Sequence, residues 1–143
     1  MSTMDATNEE IARRLHTDVW DGNLDLVDEI IAEDYVEHSS AHPEGVHGPE
    51  EFRREVEMFR AAFPDLSVTE EDTVAEGDRV ASRVTFQGTQ TGEFQGVEPT
   101  GKTVTFEAIA INRFEDGKIV EAWVQTDVMG LMQQLGVVES PGG

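Results

Sequence analysis

Apolar residues recur at helical spacing along the first third of the chain. Ile11, Leu15 and Val19 repeat every four residues, which is one stripe of a helix. Thr7 and Glu10 stand three apart and form a capping-box pair that opens it. Asp21-Gly22-Asn23 breaks the stripe, and Leu24, Val27 and Ile31 predict a second, shorter helix. Residues 38–48, HSSAHPEGVHG, read as a loop by composition. Gly48-Pro49 then starts a third helix, with proline in the first turn where it is tolerated. Phe52, Val56, Phe59 and Phe63 are its buried stripe, and Pro64 stops it.

Beyond Pro64 the period drops to two. Residues 66–75 predict a strand, and Gly77-Asp78 a turn. Val80, Ser82, Val84 and Phe86 then alternate with Ala81, Arg83, Thr85 and Gln87. Residues 88–101, GTQTGEFQGVEPTG, carry four glycines and a proline and predict a loop at the rim of the sheet. Strands follow over 102–114 and 118–128, joined by Asp116-Gly117 as a two-residue hairpin turn. A short helix over 129–135 closes the pattern. Helices followed by antiparallel strands define an α+β domain, taken as a single unit over 1–143 with loose ends at 1–6 and 138–143.

The hairpin turn fixes an expected register. With Asp116 and Gly117 at the tip, Glu115 pairs with Lys118 and Phe114 with Ile119. Counting outward puts Ala110 opposite Trp123, Ala108 opposite Gln125, and Phe106 opposite Asp127. One face then holds Val104, Phe106, Ala108, Ala110, Trp123, Gln125 and Asp127. A carboxylate on an apolar face reads two ways. It is a general base whose pKa is raised by dry surroundings, or it is the cap of the helix starting near Val128. Gln125 is a satisfied polar residue or a donor to a substrate oxygen. The opposite face carries Ile109, Ile111, Val120, Ala122 and Val124, and its apolar character predicts a homodimer or higher homo-oligomer built sheet to sheet.

Charge narrows the partners. Thirty acidic residues face ten basic ones, for a net charge of −20. That balance argues against nucleic acid and against anionic membranes as partners, and it is the surface expected of a protein living in high salt. Cysteine is absent, so disulfides, thiolate metal sites and cysteine nucleophiles are excluded. No apolar run approaches the roughly 20 residues of a membrane helix, and a cytoplasmic location is expected. His38, His42 and His47 are irregularly spaced in a Pro/Gly loop, which favours exposed or hydrogen-bonded histidines over a metal site. His38 is a candidate donor at the cavity mouth, and His16 reads as structural or surface. Phe59, Phe63, Phe86, Phe106 and Trp123 are candidates to line an apolar pocket. No phosphate loop, dinucleotide fingerprint or serine elbow is present.

The ordered motifs FPD (63–65), AEGDRVASRVTF (75–86), GTQTGEFQGVEPTG (88–101), RFEDGKIVEAW (113–123) and DVMGLMQQLG (127–136) resemble those of the SnoaL-like polyketide cyclases, also called ester cyclases, of the NTF2-like superfamily. The likeness runs from about Ile11 to Val137. It implies a cone-shaped α+β barrel, a curved antiparallel sheet around a long helix, and a deep apolar cavity. It implies no metal and no cofactor, a small hydrophobic carbonyl compound as ligand, and ring closure by intramolecular aldol condensation. The acid/base aspartate of the family falls on Asp127, Gln125 would face the same cavity, and His38 matches a histidine after the second helix. Two departures stand out: Gln90 and Ala122 replace histidines common in the family. Ala122 is expected on the face away from the cavity, and Gln90 near the rim among the substrate contacts. Other readings keep the cavity without chemistry, as a ligand-binding protein, or change the reaction to steroid-type isomerisation or epoxide hydrolysis.

Overall fold

Thr7 caps the first helix as its spacing predicts, its hydroxyl accepting from the Glu10 amide at 3.1 Å. The computed structural model describes residues 7–39 and 41–137, so the expected loose ends lie outside the described residues. Helix α1 (Asn8–Arg14) buries Ile11 and Ala12. It widens into a π turn over Leu15–Val19, with the Trp20 amide reaching back to the Leu15 carbonyl at 3.3 Å. A 3-10 turn (Leu24–Leu26) leads into α2 (Val27–Ile30).

Two predictions fail next, for linked reasons. Ile31 continues the helical stripe in sequence but opens strand β1 (Ile31–Ser39). Part of the predicted 38–48 loop is strand β2 (His42–His47), antiparallel to β1. Pro43 and Gly45 hide it by composition. Proline is tolerated there because β2 is an edge strand with a partner on one side only.

Helix α3 (Gly48–Ala62) carries Pro49 in its first turn and buries Phe52, Val56, Phe59 and Ala62. Arg60 ties its end down, donating to the carbonyls of Trp20, Pro64 and Leu66 at 3.0–3.1 Å. The remaining elements are β3 (Ser67–Glu76), β4 (Arg79–Thr89), β5 (Thr103–Glu115), β6 (Lys118–Thr126) and α4 (Val128–Leu135). The sheet order is β2-β1-β6-β5-β4-β3. It is mixed, because β1 runs parallel to β6, where an antiparallel sheet was expected. The α+β class stands.

The β5–β6 hairpin decides where side chains point. Phe114 pairs with Ile119 and Glu115 with Lys118, as the turn dictates. The next pair is Arg113–Glu121. The β5 strand has advanced one residue and β6 two, so Val120 is an extra, bulged residue. From there on the register is shifted by one: Ala110 faces Val124, Ile111 faces Trp123, Ile109 faces Gln125 and Ala108 faces Thr126. A one-residue slip exchanges the faces of a strand. Trp123, Gln125 and Asp127 therefore leave the face that α1 and α3 cover, while Ala122, Val124 and Thr126 enter it. Ala122, expected to point away, is fully buried.

Candidate active site

Between the inner face of the sheet and the helices lies a cavity of about 80 Å³, with room for several waters or a small ring. Its wall is largely aromatic. Phe86 stacks on Phe106 with centroids 5.1 Å apart, and Trp20 meets Phe86 and Phe59 edge-on at 5.3 and 5.6 Å. Phe59, Phe86 and Phe106 line the cavity. Phe63 is buried one layer behind, against Phe94.

The other sequence-derived site residues lie elsewhere. Asp127 is exposed and caps α4, its Oδ1 accepting from the Gly130 amide at 2.9 Å. Of its two readings, the cap is the one observed, because the Val120 bulge turns it out of the cavity. Gln125 and Trp123 follow it to the outer face for the same reason. His38 is outside too, hydrogen-bonded through Nε2 to Glu121 at 2.8 Å and stacked on Trp123. Gln90 is fully buried, yet it serves its own loop: Nε2 donates to the Val97 carbonyl at 3.0 Å, and Oε1 accepts from the Thr100 amide and hydroxyl. The three clustered histidines border one open hollow but take separate partners. His42 meets Glu55 at 2.7 Å, and His47 meets the Glu44 carbonyl at 2.9 Å.

Several of the polar groups that do enter the cavity come from β1 and β2, which the sequence pattern obscured. On β1, Tyr35 and Glu37 alternate onto the inner face, and the Tyr35 hydroxyl donates to Glu37 Oε1 at 2.9 Å. Glu37 is 7% exposed. Burial pushes its carboxyl above the ordinary range and the Glu55 charge adds to that, while Tyr35 and His42 draw it part of the way back. Burial likewise pushes the Tyr35 hydroxyl up. His42 and Glu55 line both the cavity and the hollow outside it, as does Gln95, so these three frame a mouth. Gln95 sits at the tip of a tight turn with Gly96, both at positive φ, and Phe94 and Val97 exchange backbone hydrogen bonds beneath it.

His16, expected to be structural or surface, is buried in the π turn and lines the cavity, with Nδ1 3.0 Å from Glu70 Oε1. Burial alone would raise Glu70, but the hydrogen bond and charge of His16 outweigh it and hold the carboxyl low. Asn112 was legible as the one polar side chain in the inward alternation Val104, Phe106, Ala108, Ala110, Asn112, Phe114. Glu37 was hidden by the unassigned strand that carries it.

A curved α+β sheet closed by helices over an apolar hollow, with a few ionisable groups turned inward, is the architecture of the NTF2-like proteins. The sequence model of the SnoaL-like polyketide cyclases matches residues 10–135, and the chain belongs to that family of cyclase enzymes. It is 32% identical over 117 residues to nogalonic acid methyl ester cyclase of Streptomyces nogalater, covering 80% of this chain and 87% of the relative. To the aklanonic acid methyl ester cyclase AcmA of Streptomyces galilaeus it is 31% identical over 132 residues, covering 90% and 92%. The crystal structure of the SnoaL-like protein of Jannaschia sp. CCS1 superposes with a TM-score of 0.84 at 26% identity, over 99% of this chain and 98% of that one.

Proposed function

We propose that this protein is a cyclase-type enzyme that moves a proton at a carbon next to a carbonyl in a small, flat, polyketide-like substrate, with Glu37 as the base. One observation carries the reading: Glu37 is a carboxyl inside an apolar hollow, its proton affinity raised by burial, and it is held by a hydroxyl at 2.9 Å. A carboxylate whose proton affinity is raised suits C–H abstraction better than an exposed one. The methyl ester cyclases among the relatives support a polyketide methyl ester as substrate class. A cavity of about 80 Å³ takes one ring or the reacting arm, and the remainder rests at the mouth between His42, Glu55 and Gln95.

The step balances without an external reactant. Ionised Glu37 takes the α proton, and the C–H electron pair becomes that of an enolate. The enolate carbon bonds to a second carbonyl carbon of the same molecule, whose π pair moves onto its oxygen. That oxygen recovers the proton from Glu37. Deuterium uptake tests the first half: with nogalonic acid methyl ester in D2O, the wild type labels the α carbon and Glu37→Gln does not. Equal labelling by both proteins would remove the reading.

A second copy of the chain is the partner we assign to the outer face of the sheet. Val74, Ala81, Ile111, Trp123 and His38 form one cross-strand row there. Val74 is 67% and Ile109 53% exposed. Arg79, Arg83 and Arg113 flank the row beside Asp72, Glu76, Glu107 and Glu121, so arginines and carboxylates are interspersed along this face of a chain of charge −20. A two-fold axis through such a patch sets arginine against glutamate in both directions. No helix among the described residues is long and apolar enough to cross a membrane, and we place the protein in the cytoplasm.

A further inference from the structure

The row that contains Glu37 continues across the sheet. Glu37 on β1 pairs with Ala122 on β6, and Ala122 pairs with Asn112 on β5. All three face inward, and all are buried. Two strand spacings separate the outer members, about 10 Å between backbones. In that row the residue between them is Ala122, whose side chain is a single methyl. Asn112 is 2% exposed and lines the cavity, and its Nδ2 finds no hydrogen-bond partner among the described residues. A buried amide left without an acceptor costs about 1–3 kcal/mol. Such a cost is offset when a ligand brings the missing acceptor, and Asn112 has only donors at that nitrogen.

We propose that Asn112 Nδ2 is the binding group for a substrate oxygen that gains negative charge, facing Glu37 across Ala122. The ligand class is a carbonyl compound able to enolise, or a phenol that mimics its enolate. This rests on the reading of Glu37 as base. The carboxylate takes the proton from carbon while the C=O π pair moves onto the oxygen that the amide holds. The amide N–H is placed before the charge develops, so its stabilisation acts on the enolate more than on the ketone.

The test uses 4-nitrophenol, whose absorbance reports its own ionisation, on the full-length wild type, Asn112→Leu and Glu37→Gln. Leucine keeps the volume and removes the donor. The wild type should bind the probe as phenolate at a pH below that at which the free phenol ionises. Asn112→Leu should weaken phenolate binding at least tenfold with an unfolding temperature equal to or above the wild type's, because an orphaned donor has been removed. Glu37→Gln should bind it as well or better. Equal phenolate binding by wild type and Asn112→Leu overturns the proposal, as does failure of the wild type to bind at millimolar probe. A markedly lower unfolding temperature for Asn112→Leu also overturns it, since the amide would then be satisfied within the fold. If Asn112→Leu loses the phenolate while Glu37→Gln keeps full deuterium labelling, the oxygen site stands and the base assignment falls.

Discussion

The Tyr35 hydroxyl donates to Glu37 Oε1 at 2.9 Å from the same strand, two residues away. Burial raises Glu37, and this bond opposes the rise. Tyr35→Phe should therefore move the acid limb of the pH–rate profile to higher pH and weaken the fold by about 1–3 kcal/mol. The profile, measured on both proteins, checks it. A limb that stays put or moves down would mean the tyrosine does not act on Glu37.

The same raised pKa affects stability. Folded Glu37 holds its proton more tightly than the unfolded chain does. Its contribution is therefore complete below the ordinary carboxylate pKa and is lost as pH rises through the raised value. Glu37→Gln should unfold at a higher temperature than wild type above that value and gain nothing at pH 4. Thermal unfolding at both pH values checks the sign.

Asp127 caps α4 from outside the cavity. Asp127→Ala should cost about 1 kcal/mol of stability, and its turnover per folded molecule should match the wild type. Denaturant unfolding beside a specific-activity measurement separates these. A large loss of turnover at full folding would restore a chemical role to this carboxylate.

Gln90 is the internal brace of the loop that brings Gln95 to the cavity. Gly92 lets that loop press on the end of α3, where the amides of Thr91 and Gly92 both donate to the Ala62 carbonyl at 3.1 Å. Gln90→Leu strands the Thr100 amide and takes from the Val97 carbonyl one of its two donors, leaving it the Phe94 amide. It should destabilise by about 1–3 kcal/mol for each group left without a partner. Hydrogen exchange across 90–102 should accelerate, whereas a purely substrate-contacting residue would leave it unchanged.

Ile111→Glu, placed in the outer apolar row, should give a monomer where the wild type is a dimer, as read by mass in solution at low and high salt. A wild type that is monomeric in both would refute the outer-face assembly.

Much of the frame is legible in the residues. The Thr7 cap, the α3 stripe ending at Pro64, and the alternation of β4 all follow from spacing. So do the first two pairs of the β5–β6 hairpin. The Val120 bulge is not legible, because Ile119, Val120, Ala122, Trp123 and Val124 make both faces of β6 apolar. Either register satisfies a period of two. That one residue moved Trp123, Gln125 and Asp127 outside and Ala122 inside. The strand β1 is masked because Ile31 extends a helical spacing, and with it Tyr35 and Glu37 escape notice. Asn112, by contrast, is a polar break in an apolar alternation, a signal overshadowed by Gln125 and Asp127 on the next strand.

The most direct measurement compares kcat of wild type, Glu37→Gln and Asp127→Asn on nogalonic acid methyl ester, with substrate binding followed separately. The account predicts that Glu37→Gln binds yet loses turnover by three orders of magnitude or more, roughly the contribution of a positioned base, while Asp127→Asn turns over normally. Full turnover by Glu37→Gln together with an inactive, folded Asp127→Asn would contradict it.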